Sequence, residues 1–323
     1  MTLETPEGEG PFPVVVYVHG GGWTTNVTKD LVDYFFGNTK SELLANGYAF
    51  VGITYTLSQE TSAGATPEPG SLISGYPQMI HDLKSGIRAL RANAKEYNLN
   101  DRFIAVMGDS AGGHLSSLIG TTNGNADYEN LEMGFAEYSS EVQAVISYYG
   151  PMYFDYQDHT YQYLSDEEYH SASGLSWLEL GKYMDSLLAY ALLGHPDSYE
   201  QELAIKASPL HQLTADAPPM FFMYGGLDEL INVEHNILMI DKYKELVGEK
   251  TLATKFFEDG IHGDFADNGR TYDNIESASE VVDFLNLHST PKKKSGSTNY
   301  WMLLVVALSL AAFKSKKFAN RQN

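Results

Sequence analysis

Six short apolar runs punctuate the chain: Val14–His19, Ala49–Tyr55, Phe103–Met107, Ala144–Tyr148, Met220–Tyr224 and Ala253–Phe257. Each is nearly continuous in Val, Ile, Phe and Tyr rather than alternating, the pattern of strands buried on both faces. Amphipathic stretches lie between them. Tyr76–Tyr97 places Met79, Ile80, Leu83, Ile87, Leu90 and Ala94 on one face at spacings of three and four, which predicts a helix. Val233–Val247 and Ile275–His288 predict two more. Strands alternating with helices imply an α/β fold, a mostly parallel sheet with helices on both faces.

Two regions break the rhythm. Met152–Ser208 is rich in Tyr, Asp, Ser and His around a helical piece at Trp177–Leu193. It reads as an excursion above the sheet, either a roof over a pocket or ordinary surface helices. After a domain-sized stretch ending at Ser289, residues 290–299 form a polar linker. Tyr300–Phe313 is then apolar, with Tyr300 and Trp301 at one end and Lys314, Lys316 and Lys317 at the other. That layout predicts a membrane segment with snorkelling ends, followed by a basic tail at 314–323. The expected location is the cell envelope or its outer face. The cytoplasm stays open, because MTLETPEGEG at the start is polar and acidic and shows no export signal.

Composition narrows the chemistry. The chain has 323 residues, 43% hydrophobic, and no cysteine. Disulfides, thiolate nucleophiles and cysteine-held metals are therefore excluded. All 42 acidic residues precede Thr290, against 14 basic ones, while seven basic residues and no acid follow it. An acidic body repels phosphate backbones, so no nucleic-acid partner is expected.

Candidate chemistry starts at HGGGW, His19–Trp23. Three glycines at a strand end permit positive φ and close approach of backbone N–H groups to a ligand. The spacing fits neither a phosphate-binding P-loop nor a dinucleotide fingerprint, which leaves an oxyanion as the target. A nucleophile is available: strand Phe103–Met107 runs into Gly108-Asp109-Ser110-Ala111-Gly112, and an apolar helix leaves, which is G-x-S-x-G in its required setting. Serine needs a base, and the base needs a carboxylate to orient it. In this fold type the order is Ser, then acid, then His. Asp228 follows one predicted strand and His262 the next, where strand ends place functional groups. Asp259 and Asp264 compete with Asp228 as the acid. His19 and His114 are expected to brace the loop and the elbow. His81, His159, His170, His195, His211, His235 and His288 carry no assigned chemistry. Trp23 and Tyr149 are candidate substrate contacts.

HGGGW, GDSAGG, the GGLD loop and the IHGDF loop together resemble an α/β-hydrolase fold esterase of the hormone-sensitive-lipase-like branch, near bacterial carboxylesterases and feruloyl or acetyl-xylan esterases. The resemblance covers Pro11 to Leu287. It implies Ser110 as nucleophile, His262 as base and Asp228 as its orienter. It implies an oxyanion hole from the backbone of Gly20, Gly21 and Ala111, and no cofactor or metal. It also implies two strands before Val14, so the sheet either lacks them or begins upstream of Met1. The expected function is a serine carboxylic-ester hydrolase acting on small, short-acyl or aromatic esters. An amidase or peptidase with the same machinery, and a non-catalytic surface binding protein, remain open. The oligomeric state is not legible. Because an imidazole serves as base only when neutral, turnover is expected to fall below about pH 6 to 7. A pH–rate profile flat to pH 4 would remove His262 as the base.

Overall fold

In the computed structural model the apolar runs become the centre of a seven-stranded sheet. The structure describes residues 1–27, 29–60, 72–154, 177–193, 201–263 and 272–289. Met1–Ser289 form one unit. In chain order its elements are β1 Thr2–Glu4, β2 Phe12–Val18, α1 Lys29–Ala45, β3 Ala49–Ile53, β4 Gln59–Glu60, β5 Leu72–Ile73, α2 Gln78–Ala92, β6 Leu99–Asp109 and α3 Ala111–Thr121. Then follow β7 Ala144–Tyr148, α4 Trp177–Leu193, α5 Gln201–Ala207, α6 Pro209–Gln212, β8 Met220–Gly225, α7 Glu234–Leu246, β9 Leu252–Phe257 and α8 Ile275–Ser289. The main sheet has the order β1-β3-β2-β6-β7-β8-β9. All its pairs are parallel except β1 with β3. A separate two-stranded ribbon pairs β4 with β5.

Side chains alternate across this sheet, as the strand period of two requires. On β2, Val14, Val16 and Val18 join Met79, Leu83, Ile87, Leu115 and Met239 on one face. Val15 and Tyr17 join Phe36, Leu43, Val281 and Leu285 on the other. Helices α2, α3 and α7 thus cover one face, and α1 and α8 cover the opposite one. The predicted strands and helices lie where the periodicity placed them, with ends shifted by a few residues.

Several elements escaped the pattern. Strand β1 occupies the sheet edge that the resemblance left bare; it is three residues long and carries no apolar run. The β4–β5 ribbon is too short to show a period. Helix α1 is kinked at Phe36, where φ is −128° and ψ is 26°. Its second half is started from far away: Asp273 accepts the backbone N–H groups of Asn38 (3.0 Å) and Thr39 (2.7 Å). A carboxylate at such a start satisfies free donors and favours the helix dipole. The apolar stretch at 300–313 lies outside the described residues. Among the described residues no helix is long and apolar enough to cross a membrane.

The loop after α3 is anchored to α2 by buried cations. Lys84 and Arg88 are fully buried and both pair with Glu129, and Arg88 also donates to the carbonyls of Gly134 (3.2 Å) and Asn130 (2.8 Å). Removing the shared carboxylate strands two buried charges, which typically costs about 3–5 kcal/mol. Glu129→Ala is therefore expected to lower unfolding free energy by about that amount in a denaturant titration, and an unchanged midpoint would refute the pairing.

Candidate active site

The parallel strands end together on one side of the sheet, and the candidate residues stand there. Ser110 lies between β6 and α3 with φ 50° and ψ −119°. A non-glycine residue in that conformation is strained by about 1–3 kcal/mol, a cost tolerated only where the surroundings enforce it. Here the Ser110 N–H is held by the Tyr148 carbonyl on β7 (2.9 Å), and the Ser110 carbonyl accepts from His114 N–H (3.0 Å) to open the helix. The turn also needs glycine behind it. A Cβ at Gly112 would lie 2.0 Å from the Val18 carbonyl oxygen and 2.7 Å from that of His19. Only a bare Cα lets α3 start so close to the end of β2.

Asp228 follows β8 and His262 follows β9. Asp228 is 3% exposed. Its Oδ1 accepts from the backbone N–H groups of Leu230 (2.9 Å) and Ile231 (2.8 Å), which locks the carboxylate in place. His262 Nδ1 stands 2.9 Å from Asp228 Oδ2 and 3.1 Å from Oδ1. A carboxylate there can only accept, so Nδ1 carries the proton. In the neutral ring Nε2 is then the acceptor, 3.0 Å from Ser110 Oγ. Of the competing acids, Asp259 is exposed and Asp264 lies outside the described residues.

The glycine loop departs from expectation at its first residue. The Gly20 N–H donates to Asp109 Oδ1 at 3.1 Å. A donor already engaged beneath the loop is not free for an oxyanion, so Gly20 leaves the set of candidate donors. The next two residues turn with φ of 98° at Gly21 and 58° at Gly22. Thr24 and Thr25 donate back to the Gly21 carbonyl at 3.2 and 3.0 Å and close the turn.

Trp23 was expected to touch substrate, but it is fully buried. Its indole Nε1 donates to His114 Nδ1 at 3.1 Å, and its ring packs edge-on against His114 and Phe154. It pins the glycine loop into the core instead of lining a pocket. Tyr149 is also buried, with φ 40°. Its ring sits edge-on to His262 at 4.9 Å and 4.5 Å from Tyr272, behind the imidazole.

Both bracing histidines are neutral in this setting. The His19 Nδ1–H donates to the Gly20 carbonyl (2.8 Å), and burial pushes the ring's pKa down. His114 accepts from Trp23 on Nδ1 and donates from Nε2 to the Ala207 carbonyl (2.8 Å). Burial lowers its pKa to about 4.

Sequence reasoning missed Asp109, Tyr17 and the His235–Asp185 pair. The Tyr17 hydroxyl donates to Asp109 Oδ1 at 2.6 Å. His235, read as having no assigned chemistry, is buried; it accepts from the Met152 N–H (3.1 Å) and donates to Asp185 on α4 (2.9 Å). That pair fastens part of the Met152–Ser208 excursion to the body. Asp109 at least stood inside the GDSAGG motif, whereas nothing local marked Asp185. Among the described residues no cluster of His, Asp or Glu could hold a metal ion.

The family model BD-FAE matches residues 2–243. The chain belongs to the BD-FAE family. A relative of this BD-FAE chain is "Probable carboxylic ester hydrolase LipM" of Mycobacterium tuberculosis, 27% identical over 237 residues, which are 73% of this chain and 46% of LipM. The chain spans about half the length of the curated relatives it matches. Among solved structures, the bifunctional GH43-CE of Bacteroides eggerthii aligns with a TM-score of 0.65 at 26% identity, over 89% of this chain and 36% of that one. A Thermogutta terrifontis esterase solved with butyrate bound aligns with a TM-score of 0.61 at 18% identity, over 91% and 90% of the two chains. The fold is that of the α/β-hydrolase esterases, as the motifs implied.

The His114 shift has a measurable consequence. The unfolded chain takes up a proton on this ring near pH 6.5, and the folded one only near pH 4. Stability from this group is therefore full above pH 6.5 and is lost as pH falls through that window, by up to about 3 kcal/mol. Denaturant midpoints between pH 7 and pH 4 should fall more steeply in the wild type than in His114→Asn, and equal slopes would show that the ring is not buried neutral.

Proposed function

We propose that the chain is a serine carboxylic-ester hydrolase that works through an acyl-enzyme. The observation that carries this reading is the relay from Ser110 Oγ through His262 to Asp228, with hydrogen-bond distances of 3.0 and 2.9 Å, on a strained turn. Similarity to LipM supports the ester class.

In this mechanism Ser110 Oγ attacks the ester carbonyl carbon, and its proton passes to His262 Nε2. Asp228, already bonded to Nδ1–H, stabilises the imidazolium that forms. The carbonyl oxygen becomes an oxyanion held by backbone N–H groups. We assign these to Gly21, Gly22 and Ala111, since Gly20 is engaged by Asp109. Ala111 opens α3, so the positive end of that helix adds to the field. His262 then returns its proton to the leaving alcohol. Water, deprotonated by the same nitrogen, attacks the acyl-enzyme and frees the acid. Small esters with short acyl or aromatic groups are the substrate class we assign.

Hydrolysis of p-nitrophenyl acetate and butyrate by the full chain tests the reading against Ser110→Ala. Loss of about six orders of magnitude in kcat is expected. Equal, near-background rates in two folded proteins would favour a binding protein of hydrolase fold. Faster cleavage of matched anilides than of esters would move the assignment to an amidase.

A further inference from the structure

One carboxylate near the nucleophile has no part in the relay. Asp109 is 9% exposed, adjoins Ser110 in sequence, and reaches neither His262 nitrogen by a hydrogen bond; those face Asp228 and Ser110. A charge buried at such a place is costly unless its bonds serve a purpose. Burial pushes its pKa up, against the opposing effect of its donors Tyr17 and Gly20.

Those donors point to that purpose. Strand β2 ends at Val18, so the sheet ladder no longer holds the chain at Gly20. Two side chains hold it instead. Asp109 Oδ1 accepts the Gly20 N–H (3.1 Å), while His19 Nδ1–H donates to the Gly20 carbonyl (2.8 Å). Asp109 is steadied by the Tyr17 hydroxyl (2.6 Å). His19 is steadied by stacking on Tyr55, whose hydroxyl donates to the His19 carbonyl (2.9 Å). The approach is close enough to require glycine: a Cβ at Gly20 would lie 2.5 Å from Asp109 Oδ2 and 2.8 Å from the Asp109 carbonyl oxygen. On the far side, the Thr24 and Thr25 bonds to the Gly21 carbonyl and the Trp23–His114 bond fix the exit of the loop. Gly21 and Gly22 thus sit between two anchors, one of which is the residue joined to the nucleophile by a peptide bond.

We infer that Asp109 is a positioning residue that sets the distance between Ser110 and the oxyanion donors of the glycine loop by holding the Gly20 peptide. The inference rests on the hydrolase reading above. It requires an acceptor oxygen at this position and not a negative charge. Loss of one oxyanion donor typically costs about 10²–10³ in kcat, and displacement of a donor costs part of that.

An alkyl trifluoromethyl ketone tests this directly. Ser110 Oγ adds to its carbonyl carbon, the π pair becomes an oxyanion, and the serine proton goes to His262. The matching trifluoromethyl carbinol binds without forming that oxyanion. In full-length Asp109→Ala, kcat for p-nitrophenyl acetate should fall by about 10- to 100-fold. Ketone affinity should fall by a similar factor, with carbinol affinity within about threefold of wild type. Asp109→Asn keeps an oxygen for both donors and should restore most of each loss. A D109A protein that melts lower yet keeps wild-type kcat and ketone-to-carbinol preference would overturn the inference. So would a D109N protein as impaired as D109A. If D109A does not fold, Tyr17→Phe carries the test, since it removes one of the two bonds on Asp109: a severalfold, ketone-selective loss supports the inference and wild-type values overturn it. A wild type that cleaves the ester but shows no preference for the ketone would instead remove the oxyanion-hole reading itself.

Discussion

The start of α3 lies against the end of β2, and much of the candidate site depends on that contact. At Gly112 the backbone of the helix comes so near the Val18 carbonyl that a methyl group would overlap it. The contact forces the chain between β6 and α3 into a sharp turn, which drives Ser110 into positive φ. The same contact brings the first residues after β2 beside the first residues of the helix. Ser110 and a row of backbone N–H groups are thereby placed together by packing, before any side chain acts. The strain at Ser110 is offset by the burial of α3, every residue of which is buried.

Around that contact the polar groups form layers with separate tasks. Asp228, fixed by two backbone donors, faces His262 and sets its tautomer. Asp109 faces the other way, into Tyr17 and Gly20. The two carboxylates differ in what they accept from, not in chemistry, and in the proposed mechanism that difference separates proton handling from loop placement. Histidines divide likewise. His262 is partly exposed and bonded to a carboxylate and a hydroxyl, while His114 is buried between a Trp donor and a backbone acceptor and is held neutral.

Much of this was legible along the chain because its causes are local. The strands are apolar runs, α2 has an apolar stripe, and the elbow is a strand, five residues and a helix. Asp228 and His262 could be placed because parallel strands deliver their ends to one edge. What escaped was set by partners far away in sequence. Gly20 looks like a donor until Asp109, 89 residues on, takes its N–H. Trp23 looks like a pocket wall until His114, 91 residues on, accepts its indole proton. Helix α1 has a weak stripe and begins its second half on Asp273, 234 residues from Thr39. Hydrogen bonds of that range leave no periodicity to read. The short polar strand β1 was missed for a different reason, since three residues cannot show a pattern.

His262 hangs from β9, which among the described residues is the last strand of the sheet and pairs on one side only. Its residues are half-buried or exposed, unlike the fully buried β7. The proposed nucleophile is thus rooted in the centre of the sheet and its proposed base in the border. Fraying at that border costs less free energy than global unfolding. Heat or denaturant can therefore silence such a site while the sheet's centre, and its spectroscopic signature, stay intact.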